Sequence, residues 1–136
     1  MRKSANIILG ASVALLLGSL LAIPSQAQIP GAVPDAKVCK DKDNPPKDAV
    51  TQGGCIVLER TKGNCMACHA IAGTTAGNIA PPLVQMKQRF PDKTKLRAQI
   101  DDARKLNPRS VMPPFGPNEI LSQDEIDKVV EFVLTL

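Results

Sequence analysis

The chemistry of this chain is concentrated in five consecutive residues, Cys65-Met66-Ala67-Cys68-His69. Two thiols one helical turn apart, followed directly by an imidazole, form the C-x-x-C-H pattern at which a c-type haem is attached. The spacing has a reason. The thiols of Cys65 and Cys68 reach the two vinyl groups of one porphyrin, and His69 then lies under the iron as a ligand from one side. The same cysteines are also compatible with other chemistry. Four of them, at 39, 55, 65 and 68, match the count of a Cys₄ zinc site. A thioredoxin-like redox pair needs a βαβ context, which the surrounding sequence lacks, and a structural disulfide is a further reading. The histidine directly after Cys68 favours haem. It is the single histidine of the chain, which excludes multi-histidine metal sites.

A second axial ligand must come from downstream, where Met86 and Met112 are the candidates; Met66 lies inside the pentad and is too constrained to cross to the opposite face. Met86 falls in a helical stretch beside Leu83 and reads as core filler. Met112 lies in Val111-Met112-Pro113-Pro114-Phe115-Gly116, where the prolines fix φ and present a thioether at little entropic cost. A carbonyl near Pro81-Pro82 is placed to accept the Nδ1–H of His69, although the same pair also reads as a simple turn. Cys39 and Cys55 are left over. They are expected to form a disulfide in an oxidising compartment, with two free thiols as the alternative.

Elements that would carry these residues are short. Ile56, Val57 and Leu58 begin an apolar stripe running toward Gly63, a helix of two to three turns. Residues 70–82 read as loop. Helices are expected from Val84 to Phe90 and after Pro91, with Leu96, Ile100 and Ala103 on one face and Asn107-Pro108 as the stop. Residues 107–118 form another loop. Ser122 and Glu125 make a capping box, Leu121 and Ile126 a hydrophobic staple, and Ile126, Val129, Val130, Val133 and Leu134 an apolar stripe. That stripe must be buried, and the helix near 55–62 is its natural partner.

The 136 residues are 43% hydrophobic, yet hold three Phe and no Tyr or Trp. So aromatic-poor an interior suits a large apolar prosthetic group at its centre, and single-stranded nucleic-acid binding, which relies on aromatic stacking, is disfavoured. A net charge of +4 is too mild to imply a phosphate partner. Lys62, Lys87 and Arg89 are candidates for a docking rim, with a solvated basic face as the simpler reading. At the N-terminus, Arg2 and Lys3 precede an uncharged apolar run from Ile7 to Ile23, and Ser25-Gln26-Ala27 places small residues at a cleavage site. This is the pattern of a secretory signal peptide, with an uncleaved anchor as the alternative. The chain therefore divides into a signal peptide (1–27), an irregular N-terminal extension (28–52) and a haem domain (53–136), exported to the periplasm and free of membrane after cleavage.

Five stretches together resemble the SoxX family, the monohaem subunits of the bacterial thiosulfate-oxidising (Sox) system. They are Gly63-Asn64-Cys65-Met66-Ala67-Cys68-His69, Ile79-Ala80-Pro81-Pro82-Leu83, Asn107-Pro108, Met112-Pro113-Pro114-Phe115-Gly116 and Leu121-Ser122-Gln123-Asp124-Glu125-Ile126. The resemblance covers roughly residues 53–136, most of the mature chain. It implies an all-α, class I cytochrome c fold, with one haem c on Cys65 and Cys68 and iron ligated by His69 and Met112. It further implies a heterodimer with a SoxA-like c-type cytochrome, and transient contact with the SoxYZ carrier and an electron-accepting cytochrome. The pair would catalyse the L-cysteine S-thiosulfotransferase reaction, coupling thiosulfate oxidatively to a SoxY cysteine. This subunit would pass electrons and hold no catalytic residue. The alternative is a free, diffusible cytochrome c that shuttles electrons between respiratory partners. In such cytochromes the position of Ala80 is often Gly.

Overall fold

The computed structural model describes residues 31–71, 74 and 77–136, so the export segment expected over 1–27 lies outside the described residues. Two aspartates open the first two helices. Asp35 accepts the Lys37 N–H at 2.8 Å ahead of α1 (Ala36–Lys40), and Asp48 accepts the Thr51 N–H at 2.8 Å ahead of α2 (Ala49–Leu58). Each carboxylate satisfies a backbone donor that the helix itself leaves open. These helices correct the reading of 28–52 as irregular, because the charged, proline-bearing composition there hides two N-caps. A disulfide joins Cys39 to Cys55, their Cα atoms 5.4 Å apart. It ties the one-turn α1, too short to persist alone, to α2. The helix also stops at Leu58, short of Gly63. Residues 59–64 turn instead, with the Asn64 N–H donating to the Glu59 carbonyl at 3.0 Å and Asn64 at φ 45°. Asn tolerates that left-handed conformation better than most residues.

A 3₁₀ turn over Cys65–Ala67 leads into β1 (His69–Ile71), which pairs in parallel with β2 (Ala80–Leu83). His69 lies opposite Ala80 and Ile71 opposite Leu83, with an irregularity between them. This pairing corrects the reading of 70–82 as loop. Pro81 and Pro82 have no N–H to donate, so β2 carries neither the composition nor the alternation of an ordinary strand. The return requires Gly77, whose N–H donates to the Met66 carbonyl at 2.9 Å while a Cβ there would strike the Ala67 carbonyl.

Two helices follow, α3 (Met86–Arg89) and α4 (Lys93–Asp101), then a 3₁₀ turn at Ala103–Lys105 and the expected loop over 107–118. The last helix, α5 (Gln123–Val133), has its full capping box: Ser122 Oγ accepts the Glu125 N–H, and Glu125 accepts the Ser122 N–H at 2.9 Å. Ile126, Val129, Val130 and Val133 are buried as their spacing requires; Leu134 is only half-buried, and Phe132, off the stripe, is fully buried. α5 crosses α2, as expected. The helices meet at Gly53, where a Cβ would run into the Lys128 carbonyl. Val57, Leu96 and the apolar face of α5 form the core beside this crossing.

Candidate haem site

The pentad bridges turn and strand. Cys65 and Cys68 are free thiols, the first opening the 3₁₀ turn and the second capping it, and His69 opens β1. Burial pushes the Cys65 thiol up to about 11, so it is a neutral thiol at neutral pH. Parallel pairing lays the Pro81 carbonyl 2.7 Å from His69 Nδ1. A carbonyl only accepts, so Nδ1 carries a proton here and Nε2 is the nitrogen left for another partner. The neighbouring Pro82 carbonyl accepts Nη1 of Arg89 at 2.8 Å, and the same nitrogen reaches the Val84 carbonyl at 3.3 Å and Met86 Sδ at 3.4 Å. The two prolines that cannot donate thus offer both carbonyls to side chains. The expectation that a carbonyl at this pair orients His69 is met.

Met112 arrives on the loop after α4. Its N–H donates to Ser110 Oγ at 3.2 Å, and its Sδ lies 3.9 Å from Gln99 Nε2 on α4. The loop is pinned farther on, where the Gly116 N–H donates to the Asp101 carbonyl at 3.0 Å. Met86 is 3% exposed, packed in the core, and its N–H donates to the Leu136 carbonyl at 2.8 Å.

Two adjoining hollows, of about 160 and 540 Å³, share walls made by Cys65, His69, Pro81, Gln99, Met112 and Phe115. Leu83, Leu96 and Ile100 line the inner one; Cys68, Ile79 and Val111 line the outer, more open one. A large, flat, mostly apolar group fits this chemistry. The cleft provides apolar walls, two thiols for covalent attachment, one imidazole nitrogen and two thioether sulfurs, Met112 on both hollows and Met86 on the inner one alone. A Cys₄ zinc site is not formed, because Cys39 and Cys55 are spent on each other. At the rim, Lys62 is paired with Glu125 and Arg89 is turned to the carbonyls of Pro82 and Val84, while Lys87 is exposed.

Residues 58–133 match the model of the family described as cytochrome c oxidase, cbb3-type, subunit III. The chain belongs to this family of c-type cytochromes. Membership brings covalently bound haem c and an electron-transfer role. Comparison with curated proteins gives no match. Among solved structures, the cytochrome is similar to the crystal structure of SoxXA from P. pantotrophus, at 27% identity and a TM-score of 0.57, over 62% of this chain and 79% of that one. The cytochrome therefore has the class I cytochrome c fold and is SoxX-like, as the sequence resemblance implied.

Sequence reasoning missed Gln99 as part of this cytochrome's site, and Arg89, read as a rim candidate or a solvated charge, is exposed but turned to the carbonyls of Pro82 and Val84. The one available signal for Gln99 was a polar residue set between Leu96 and Ile100 on an apolar face.

Proposed function

We propose that this cytochrome is the electron-transfer subunit of a periplasmic two-cytochrome enzyme that couples thiosulfate oxidatively to a cysteine of a carrier protein. In this reading Cys65 and Cys68 would hold a single haem through thioethers, and His69 and Met112 would supply the nitrogen and sulfur ligands of its iron. The observation that carries it is the convergence of all four residues on one cleft. A bound haem c supplies reversible one-electron exchange between Fe(III) and Fe(II).

The chain's own groups do the rest. The Pro81 carbonyl fixes the His69 ring and raises its basicity through Nδ1–H. The proline-stiffened loop presents Met112, a soft, neutral donor that favours the reduced state relative to a second histidine. Leu83, Leu96 and Phe115 supply apolar walls to the inner cleft. With His69 and Met112 both supplied to the iron, the haem would exchange electrons without binding substrate, and this subunit would hold no catalytic residue.

Joining thiosulfate to a cysteine thiol forms one sulfur–sulfur bond and releases a proton and two electrons. A subunit that removes electrons one at a time is what such a reaction needs. The likeness to SoxXA supports a SoxA-like c-type cytochrome as the heterodimeric partner; the SoxYZ carrier as substrate and a further cytochrome as electron acceptor are what the sequence resemblance implies. Export is supported by the signal-peptide pattern of 1–27 and by the Cys39–Cys55 disulfide, which suits an oxidising compartment.

The test is purification of the protein from its native host. It is expected to co-purify with a second haem protein and to be reduced by thiosulfate only when that protein and the carrier are present. Isolation alone, with equally fast reduction by respiratory donors, would establish the free shuttle instead.

A further inference from the structure

The inner hollow is lined by apolar and sulfur side chains apart from His69, Arg89 and Gln99. His69 Nδ1 faces the Pro81 carbonyl, and Nη1 of Arg89 donates to the Pro82 and Val84 carbonyls and also reaches Met86 Sδ at 3.4 Å. Gln99 directs its amide nitrogen instead at Met112 Sδ, 3.9 Å away, within the longer reach of a hydrogen bond to sulfur. Only the NH₂ end of an amide can donate to a thioether, so the partner fixes which way the amide faces. Its backbone is equally well placed. Gln99 lies on α4 between Leu96 and Ile100, both buried in the core, so the amide rides on a rigid element rather than on the loop it contacts.

We infer that Gln99 is a positioning residue for the Met112 thioether, holding the sulfur in one orientation and drawing electron density from it. This rests on the proposed ligation by Met112. A thioether sulfur has two lone pairs. With one turned to the Gln99 amide, the other is left for a metal, and the loop cannot rotate the sulfur away without losing the bond. A hydrogen bond to the sulfur makes it a poorer donor, and the more electron-poor oxidised iron loses more from that than the reduced iron. Hydrogen bonding around an axial ligand is one of the levers by which a protein sets a haem potential. Gln99 therefore raises the potential and keeps the ligand in place.

Gln99→Leu and Gln99→Met each remove the donor while keeping a side chain of similar length, and they differ in shape. The holoprotein of each is compared with wild type in three measurements: the sulfur-to-iron charge-transfer band of the ferric form, the midpoint potential, and the affinity of the ferric form for added imidazole. The wild-type band reports on Met112 ligation by itself; if it is missing there, the ligand reading fails before Gln99 is tested. With the band present, both variants are expected to retain it, to show a lower midpoint potential, and to bind imidazole about two- to tenfold more tightly, the equivalent of one ordinary hydrogen bond. Wild-type potential and imidazole affinity in both variants, or potentials that shift in opposite directions, would overturn the assignment.

Discussion

At the scale of single residues, the two sides of the cleft are held differently. His69 is fixed by a short bond to a carbonyl of paired backbone, 2.7 Å from Nδ1 to Pro81. Met112 is fixed by a loop and one long contact from an amide. The thioether side is thus the weaker attachment and the one that mutation exposes. Met112→Ala is expected to open a coordination position: the sulfur-to-iron band disappears, the potential falls, and carbon monoxide and cyanide bind readily. Met86→Ala is expected to keep the band and cost about 2–5 kcal/mol of stability, as for a buried methionine truncated in a core. A band that survives the first change and vanishes in the second reverses the two roles. The sequence made the pentad legible because its spacing is dictated by the porphyrin's own dimensions, and Met112 because prolines flank it. Gln99 was not legible, since a glutamine in a helix looks the same whether its amide meets solvent or a sulfur.

Among the elements, α5 was read in full from its cap and stripe, whereas α2 was placed too late and β2 was not seen. Capping boxes and apolar periods are local, and local signals are printed in the sequence. The crossing of α2 and α5 is not local. Gly53 matters only because the Lys128 carbonyl lies against it, and a lone glycine at the start of a stripe says nothing of that. Gly53→Ala is expected to push the helices apart and lower stability by about 1–3 kcal/mol, read from chemical denaturation; an unchanged midpoint would mean that the crossing is slack. The α5 cap has a pH signature. The Lys62 ammonium and the Ser122 N–H hold the Glu125 carboxyl below the usual range. A carboxylate depressed in the folded state stabilises it above the unfolded value, about 4.3, and that contribution is lost as pH falls through the folded value. Glu125→Gln should therefore melt lower than wild type near neutrality and lose less on acidification. Parallel melting curves across that window would remove the carboxylate from the account.

For the molecule as a whole, α2 is the pivot. One face meets α5 at Gly53, its last turn leads through residues 59–64 to Cys65, and Cys55 on it is bound to Cys39. The packing core and the cleft are consequently two ends of one arrangement, joined by Phe115, Leu96 and Val129, which belong to both. The disulfide stands apart from this, since neither of its cysteines lines either hollow. Its contribution should accordingly be to stability and not to the site. A bridge across a sequence separation of 16 removes unfolded-state freedom worth about 3 kcal/mol in the chain-entropy model. The variant Cys39→Ser with Cys55→Ser is expected to lose about that much in denaturant unfolding, because α1 is released from the second half of α2. Its sulfur-to-iron band and midpoint potential should match wild type, because the turn at 59–64, the β1–β2 pairing and the Met112 loop are all held by bonds that do not pass through the bridge. Equal stability would make the bridge energetically idle. A shifted potential at unchanged global stability would show instead that the last turn of α2 transmits strain from Cys55 to Cys65, and that the extension is part of the electron-transfer site.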